Sequence, residues 1–247
     1  MCTLVILRRP DHDWPLIVAA NRDEKIDRPS LPPGRHWPDR EDVTAGQDAL
    51  AGGTWLGVND HGVVAGILNR TGTLGPDPNL RSRGELPLEA LDHAEAEAVA
   101  EALFDLDPLA YRPFNMFVGD AREAFWISSV NEYGEPGMRL GDIPMGVSML
   151  TDCDLNDSSS PRVRLYLPRF ETAPAPEPDA DQWEWWQALL ADKEFENGVG
   201  PRGAMNIDRD DGFGTVSSSL IALPSLNLHP QKPCWLFAEG PPDTVSY

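Results

Sequence analysis

A cysteine at position 2 is the residue of this chain that is best placed to do chemistry. The chain begins Met1-Cys2-Thr3 and continues directly into an apolar run. Removal of Met1 would leave Cys2 with a free α-amine of pKa about 7.7–8.0 beside a thiol of pKa about 8.5. A base poised next to a nucleophile is the arrangement that covalent catalysis uses. The alternative is an ordinary buried thiol at the start of a strand.

The segment Asn21-Arg22-Asp23-Glu24 is predicted to lie beside this cysteine. Residues 3–8 and 16–20 are apolar and are separated by a short polar turn, which predicts two antiparallel strands. An antiparallel partner returns to the point where the first strand began. The Arg and Asp of the segment could then orient the amine and hold the thiol electrostatically. A polar cluster where a strand meets solvent is the alternative interpretation.

The remaining pattern predicts an α+β plan in which two antiparallel sheets are covered by helices, within one domain spanning 1–247. Apolar runs flanking short turns predict hairpins, and apolar residues at helical spacing predict helices. A proline-rich stretch predicts a surface loop, and a second one predicts an extended linker. The predicted segments are strands at 55–59, 63–68, 114–118, 124–128, 147–150, 213–222 and 234–237, helices at 85–105, 160–170 and 181–192, the loop at 28–50 and the linker at 172–179.

The composition excludes several classes of partner. The 247 residues carry a formal net charge of −20, which disfavours binding to nucleic acid or to an anionic membrane. No stretch approaches the roughly 20 apolar residues of a membrane span. The three cysteines neither form a disulfide framework nor have zinc-ligand spacing, and no phosphate loop appears. We therefore expect a cytoplasmic protein with a small-molecule partner, no metal and no cofactor.

Motifs along nearly the whole chain resemble those of the NRDE family, which includes homologues of the transport and Golgi organisation protein 2. The matching segments are Met1-Cys2-Thr3, Asn21-Arg22-Asp23-Glu24 with Arg28-Pro29, Gly53-Thr54-Trp55-Leu56-Gly57, Leu68-Asn69-Arg70, Leu155-Asn156-Asp157 and Gly214-Thr215-Val216-Ser217-Ser218. The family is similar in turn to the N-terminal nucleophile hydrolases, especially the penicillin V acylase and bile salt hydrolase group.

This resemblance implies a four-layer αββα sandwich in which Cys2 attacks a small non-peptide amide or related acyl group. It places Asp23 where the acylases keep the Asp that contacts the amine of the nucleophile. It also gives Asn69 the role of oxyanion donor, an interaction worth roughly 2.7–4 kcal/mol. A turn residue is the alternative for Asn69. The Arg of the acylases is shifted, because Ala20 stands at its position and Arg22 at the variable one.

Four further residues are candidates for contacts with a substrate: Arg22, Asn21, Trp55 and Asn156. Asn156 is the best match for a second oxyanion Asn, but a role at the entry of a helix is equally compatible with its position. Trp55 could line a pocket or pack in the core. The shifted Arg favours a second hypothesis, a non-catalytic protein that binds or carries a hydrophobic ligand such as a lipid or haem. A third is that the pocket is vestigial and the protein acts through its surface loops.

Overall fold

The structure is a computed structural model that describes residues 2–132, 135–228 and 232–247. The chain forms two compact units, one made of Met1–Arg28 with Pro144–Tyr247 and the other of Pro29–Ile143. Each unit contains one antiparallel sheet and two α-helices among the described residues. The α+β class and the two antiparallel sheets that the sequence predicts are therefore confirmed.

The first unit has a five-stranded sheet in the order β10-β1-β2-β11-β12, with every neighbouring pair antiparallel. Helices α3 and α4 pack on one face of the sheet, and their aromatic side chains Tyr166, Phe170 and Trp186 are almost fully buried there. The elements of this unit are β1 (Thr3–Arg8), β2 (Leu16–Lys25), β10 (Gly146–Leu150), α3 (Pro161–Thr172), α4 (Glu184–Leu190), β11 (Phe213–Leu223) and β12 (Cys234–Ala238).

The second unit has a seven-stranded sheet in which the strands follow chain order from β3 to β9. Helices α1 and α2 bury their apolar side chains against one face of this sheet, in a core that includes Leu91, Val99, Met116 and Ile127. The elements of this unit are β3 (Ser30–Gly34), β4 (Val43–Asp48), β5 (Leu56–Asn59), β6 (Val64–Asn69), α1 (Leu86–Leu91), α2 (Ala96–Phe104), β7 (Phe114–Gly119), β8 (Ala124–Glu132) and β9 (Glu135–Asp142).

The predicted helix over 85–105 is two helices, and the side chain of Asn59 accounts for the break. Asn59 is 2% exposed, and its Nδ2 donates to the backbone oxygens of Leu91 at 2.9 Å and His93 at 2.7 Å. Its Oδ1 accepts from the backbone N–H groups of His61 and Val63. One buried amide therefore ties the β5–β6 turn to the end of α1, where a continuous helix would use those carbonyls internally.

The predicted loop over 28–50 contains two strands, β3 and β4. Pro32 and Pro33 lie within β3, which is the edge strand of the seven-stranded sheet. Proline cannot donate to a strand ladder, so an edge position is where a sheet tolerates it. Strand β9 was not predicted either, because its sequence is rich in glycine and charge and its residues are at most partly buried.

Candidate active site

Cys2 lies where β2 extends beyond the start of β1. Thr3 is the first residue of β1 and pairs with Asn21, while β2 continues to Lys25 and pairs there with β11. The partly exposed thiol of Cys2 donates a hydrogen bond to the backbone oxygen of Asp23, with 3.8 Å between sulfur and oxygen. The expectation that the end of the second strand lies beside Cys2 is confirmed. The expected removal of Met1 lies outside the described residues.

The surroundings of the Cys2 thiol favour its protonated form. Burial raises the pKa of the Cys2 thiol above its ordinary value, and the negative charge of Asp23 raises the pKa further. The positive charge of Arg22 acts in the opposite direction and lowers the pKa. A thiol whose pKa is raised attacks an acyl carbon only when a base removes its proton during the reaction. Any such attack by Cys2 would therefore require a proton acceptor close to the sulfur.

The alternation of side chains along β2 separates the residues of the predicted Asn-Arg-Asp segment. Asn21 pairs with Thr3 and Ala20 pairs with Leu4, and successive side chains of a strand point to opposite faces. Asn21 and Asp23 therefore share the face of Thr3, on which α3 and α4 pack, and Arg22 lies on the opposite face. Arg22 is only 5% exposed. The guanidinium of Arg22 and the carboxylate of Asp23 therefore lie on different faces of β2.

A fully buried ion pair fixes the carboxylate of Asp23. The Nη1 atom of Arg162, from the first turn of α3, lies 3.0 Å from Oδ2 of Asp23, and the two side chains are 3% and 0% exposed. The same Nη1 donates to the hydroxyl of Thr3, and Nη2 donates to the backbone oxygen of Arg202 at 3.1 Å. A buried charge is tolerated only when it is paired and hydrogen-bonded, and both conditions are met here.

Thr215 completes the coordination of this carboxylate through a β-bulge. The register of β11 against β2 shifts between Thr215 and Ser217, so Thr215 rather than Val216 stands opposite Asp23. Its hydroxyl donates to Oδ1 of Asp23 at 2.7 Å and accepts from the backbone N–H of Ile207 at 2.8 Å. The adjacent Gly214 allows this approach, since an added Cβ would lie 2.9 Å from the Ile207 oxygen.

Arg162, Thr3 and Thr215 were not among the candidate residues derived from the sequence. Thr3 and Thr215 stand within motifs that the sequence singles out, but nothing in those motifs assigns their hydroxyls to a carboxylate. Arg162 is separated from Asp23 by 139 positions and lies in a helix that contains two other arginines. An arginine in a charged helix is ordinarily exposed, so no local signal distinguishes this one.

Asn21 lies beside this network with its amide bonded to backbone groups. Its Nδ2 donates to the oxygens of Leu190 and Met205, each at 2.9 Å, and its Oδ1 accepts from the hydroxyl of Ser218 at 2.7 Å. Ser218 is in turn 2.6 Å from the hydroxyl of Tyr247. These bonds connect β2 and β11 with the end of α4, so the side chain of Asn21 holds the elements that surround the site. Its predicted contact with a substrate stays a prediction.

Asn156 adopts a left-handed conformation, with φ of 56°, next to β10. Its Oδ1 accepts from the backbone N–H of Met149 at 2.7 Å, and its own N–H donates to the Met149 oxygen at 2.9 Å. Its Nδ2 donates to the hydroxyl of Ser148 at 3.3 Å. The side chain thus closes the turn after β10, the strand that pairs with β1. Its role as a second oxyanion donor remains a prediction.

Asn69 and Trp55 belong to the second unit. Asn69 is the last residue of β6 and pairs with Phe114 on β7. Trp55 precedes β5, and its partly exposed ring lies over Gly46, where an added Cβ would be 2.5 Å from the ring. The glycine is therefore what leaves room for the indole.

Across the three described ranges, no three His, Cys, Asp or Glu side chains are grouped so that they could hold a metal ion. No helix in the part of the chain that the structure describes has the length and apolar character needed to cross a membrane.

Comparison with known proteins gives a family and a fold. The profile of the family described as Transport and Golgi organisation 2 matches residues 1–223. Homologues of that protein from Mus musculus and Bos taurus are 41% identical over 76 residues and 36% identical over 101 residues. The matches cover 29% and 39% of this chain, but only 26% and 31% of the two relatives. The aligned part is thus about a quarter to a third of their length.

A solved structure shares the fold. The N-acylethanolamine-hydrolyzing acid amidase ortholog of Caenorhabditis elegans superposes with a TM-score of 0.58, covering 95% of this chain and 100% of that chain at 13% sequence identity. At this identity the likeness establishes the fold alone. The α+β fold with two antiparallel sheets that the sequence predicts is therefore shared with this structure.

Proposed function

Because the chain belongs to the Transport and Golgi organisation 2 family and shares its fold with an amidase, we propose that it is a cytoplasmic amidohydrolase. Its N-terminal nucleophile is Cys2 in this proposal. The substrate class is a small non-peptide amide or related acyl compound. The observation that carries this proposal is the contact between the Cys2 thiol and the backbone of Asp23, beside a buried and fully bonded carboxylate.

In the proposed reaction, the α-amine that Cys2 gains on loss of Met1 accepts the proton of the thiol. The sulfur attacks the carbonyl carbon, and backbone N–H groups stabilise the oxyanion, a role for which the sequence also predicts the side-chain amide of Asn69. The α-ammonium then returns its proton to the leaving amine, and the C–N bond breaks. Water, deprotonated by the same α-amine, hydrolyses the thioester and restores the thiol.

The surrounding residues have positioning roles in this proposal. Asp23 would orient the α-amine, and the bonds from Arg162 and Thr215 hold its carboxylate in one rotamer. Arg22 would stabilise negative charge on the sulfur, in line with the direction in which it moves the pKa of Cys2. The name of the C. elegans neighbour specifies N-acylethanolamines, and this supports amides with an acyl chain as the first compounds to examine.

The test combines the intact mass of the purified protein with assays of amide hydrolysis. The proposal expects loss of Met1 and release of a free carboxylic acid from an N-acylethanolamine series. Cys2→Ala should abolish turnover and leave the melting temperature nearly unchanged, because the thiol makes a single weak hydrogen bond. Retention of Met1 in an active preparation would contradict the proposed base.

The second candidate function is a non-catalytic protein that binds a hydrophobic ligand such as a lipid. The raised pKa of Cys2 favours it, because a neutral thiol is poorly reactive. A rise in melting temperature with added fatty acid that persists in Cys2→Ala, without hydrolysis of any amide tested, would support this candidate over the enzyme.

A further inference from the structure

A second polar cluster lies on the sheet of the second unit, at the end of β6 next to Asn69. Asn115 on β7 is fully buried, and its Oδ1 accepts from Nη1 of Arg70 at 2.7 Å and from Nε1 of Trp126 at 3.2 Å. Two donors on one oxygen fix which end of the amide is oxygen and which is nitrogen. The cluster is therefore rigid at its centre, while Arg70 and Trp126 are both partly exposed.

Ser128 adds an unsatisfied hydroxyl to this cluster. It stands directly opposite Asn115 in the pairing of β7 with β8, and directly opposite Arg139 in the pairing of β8 with β9. Its side chain is 0% exposed, and its Oγ has no hydrogen-bond partner within the described ranges. Leaving a buried hydroxyl without a partner is unfavourable, and such groups are uncommon in folded proteins.

A neighbouring serine shows that the unsatisfied hydroxyl alone does not mark a site. Ser129 is also buried and its Oγ likewise lacks a hydrogen-bond partner in the described part of the chain. It points to the opposite face of the sheet, where its cross-strand neighbours are Phe114 and Met138. Ser128 differs because an amide and an arginine flank it on the adjacent strands. The two serines therefore form a matched pair for experiment.

The combination around Ser128 suits an anionic group. A guanidinium presents several N–H donors in a planar fork that matches a carboxylate or a phosphate, and a hydroxyl supplies a further donor. In a chain of net charge −20, one arginine opposite Ser128 and a second arginine bonded to Asn115 are a local exception to the prevailing charge. We propose that Ser128, Asn115 and Arg70 form a binding site for the carboxylate or phosphate group of a small molecule, flanked by the indole of Trp126. The inference is independent of the proposed reaction at Cys2.

The experiment measures the melting temperature of the full chain against increasing sodium acetate or sodium phosphate, with ionic strength held constant by sodium chloride. The proposal expects a saturable rise with at least one of the two anions. Ser128→Ala and Arg70→Gln should each weaken the apparent affinity by about tenfold or more, as expected for loss of a hydrogen bond to a charged group. Ser129→Ala should leave the affinity within about twofold.

The outcomes separate the alternatives. A rise with acetate alone identifies a carboxylate site, and a rise with phosphate alone identifies a phosphate site. No saturable rise with either anion overturns the proposal, and so does an equal loss of affinity in the two serine variants. If Arg70→Gln does not fold, Arg70→Lys retains the positive charge but loses the fork, and the proposal still expects weaker binding. Unchanged binding in Arg70→Lys together with unchanged binding in Ser128→Ala would also overturn it.

Discussion

Replacement of Arg162 by methionine probes the network around Asp23 most directly. The substitution keeps much of the volume of the side chain but removes the guanidinium that bonds to Asp23, Thr3 and the backbone of Arg202. The carboxylate of Asp23, which is 0% exposed, would then keep its bond from Thr215 but lose its counter-charge. The fold must either bury an uncompensated charge or open to admit water.

The expected cost is large because the pair is buried. Removing one partner of a buried ion pair typically destabilises a protein by about 3–5 kcal/mol. In a domain of this size each kcal/mol lowers the melting temperature by about 2–4 °C, so Arg162→Met should lower it by roughly 6–20 °C. Adding Asp23→Asn to Arg162→Met removes the unpaired negative charge. The double variant should therefore recover part of the lost stability, with a coupling energy of about 1–3 kcal/mol.

A neighbouring arginine on the same helix supplies the control. Arg164 forms an ion pair with Glu196, but their side chains are 45% and 32% exposed. Exposed pairs contribute about 0–1 kcal/mol, so Arg164→Met should cost no more than that. Urea denaturation of five proteins gives the free energies of unfolding: wild type, Asp23→Asn, Arg162→Met, their double variant and Arg164→Met. Equal losses in Arg162→Met and Arg164→Met, or no recovery in the double variant, would show that the buried ion pair does not contribute this stability.

Three further predictions concern separate parts of the molecule. Asn59→Ala should lower the free energy of unfolding by about 2–4 kcal/mol in urea denaturation, because four backbone groups lose a buried hydrogen-bond partner. A loss below about 1 kcal/mol would contradict this. Burial raises the pKa of Tyr247 to about 12 from an unfolded value of about 10. The stability that its protonated form contributes is thus present below pH 10 and lost as the pH rises toward 12. Between pH 10 and 12 the free energy of unfolding of the wild type should fall by on the order of 2 kcal/mol more than that of Tyr247→Phe. Parallel plots of this free energy against pH for the two proteins would contradict the raised pKa. Iodoacetamide should alkylate Cys2 with a pH midpoint above about 8.5, which peptide mapping can measure. Arg22→Gln should move this midpoint to a higher pH, because the guanidinium lowers the pKa of the thiol. A lower midpoint in the variant would contradict this assignment.

The parts of the site that the sequence could predict are those that strand pairing dictates. Two short apolar runs joined by a turn predict a β-hairpin, and the hairpin places Cys2 beside Asn21–Glu24. The motifs then gave the family, since several of them occur in the expected order over nearly the whole chain. Both inferences use local pattern or chain order, which a single sequence contains in full.

The parts that could not be predicted depend on contacts between distant segments. The ion pair of Arg162 with Asp23 joins residues 139 positions apart, and the β-bulge that brings Thr215 to the same carboxylate leaves no pattern in β11. The split of the helix over 85–105 has the same origin, because helical spacing continues through the break and the deciding hydrogen bonds come from Asn59 on β5. Tertiary bonds override local propensity at these points.

Formation of a covalent acyl intermediate on Cys2 is tested by peptide mapping after brief exposure of the protein to p-nitrophenyl acetate. We expect an acetyl group on the N-terminal peptide that begins with Cys2, and its loss on further incubation in water. The corresponding peptide of Cys2→Ala should carry no such label. Labelling of Cys153 or Cys234 with an unmodified Cys2, in protein from which Met1 has been removed, would contradict it.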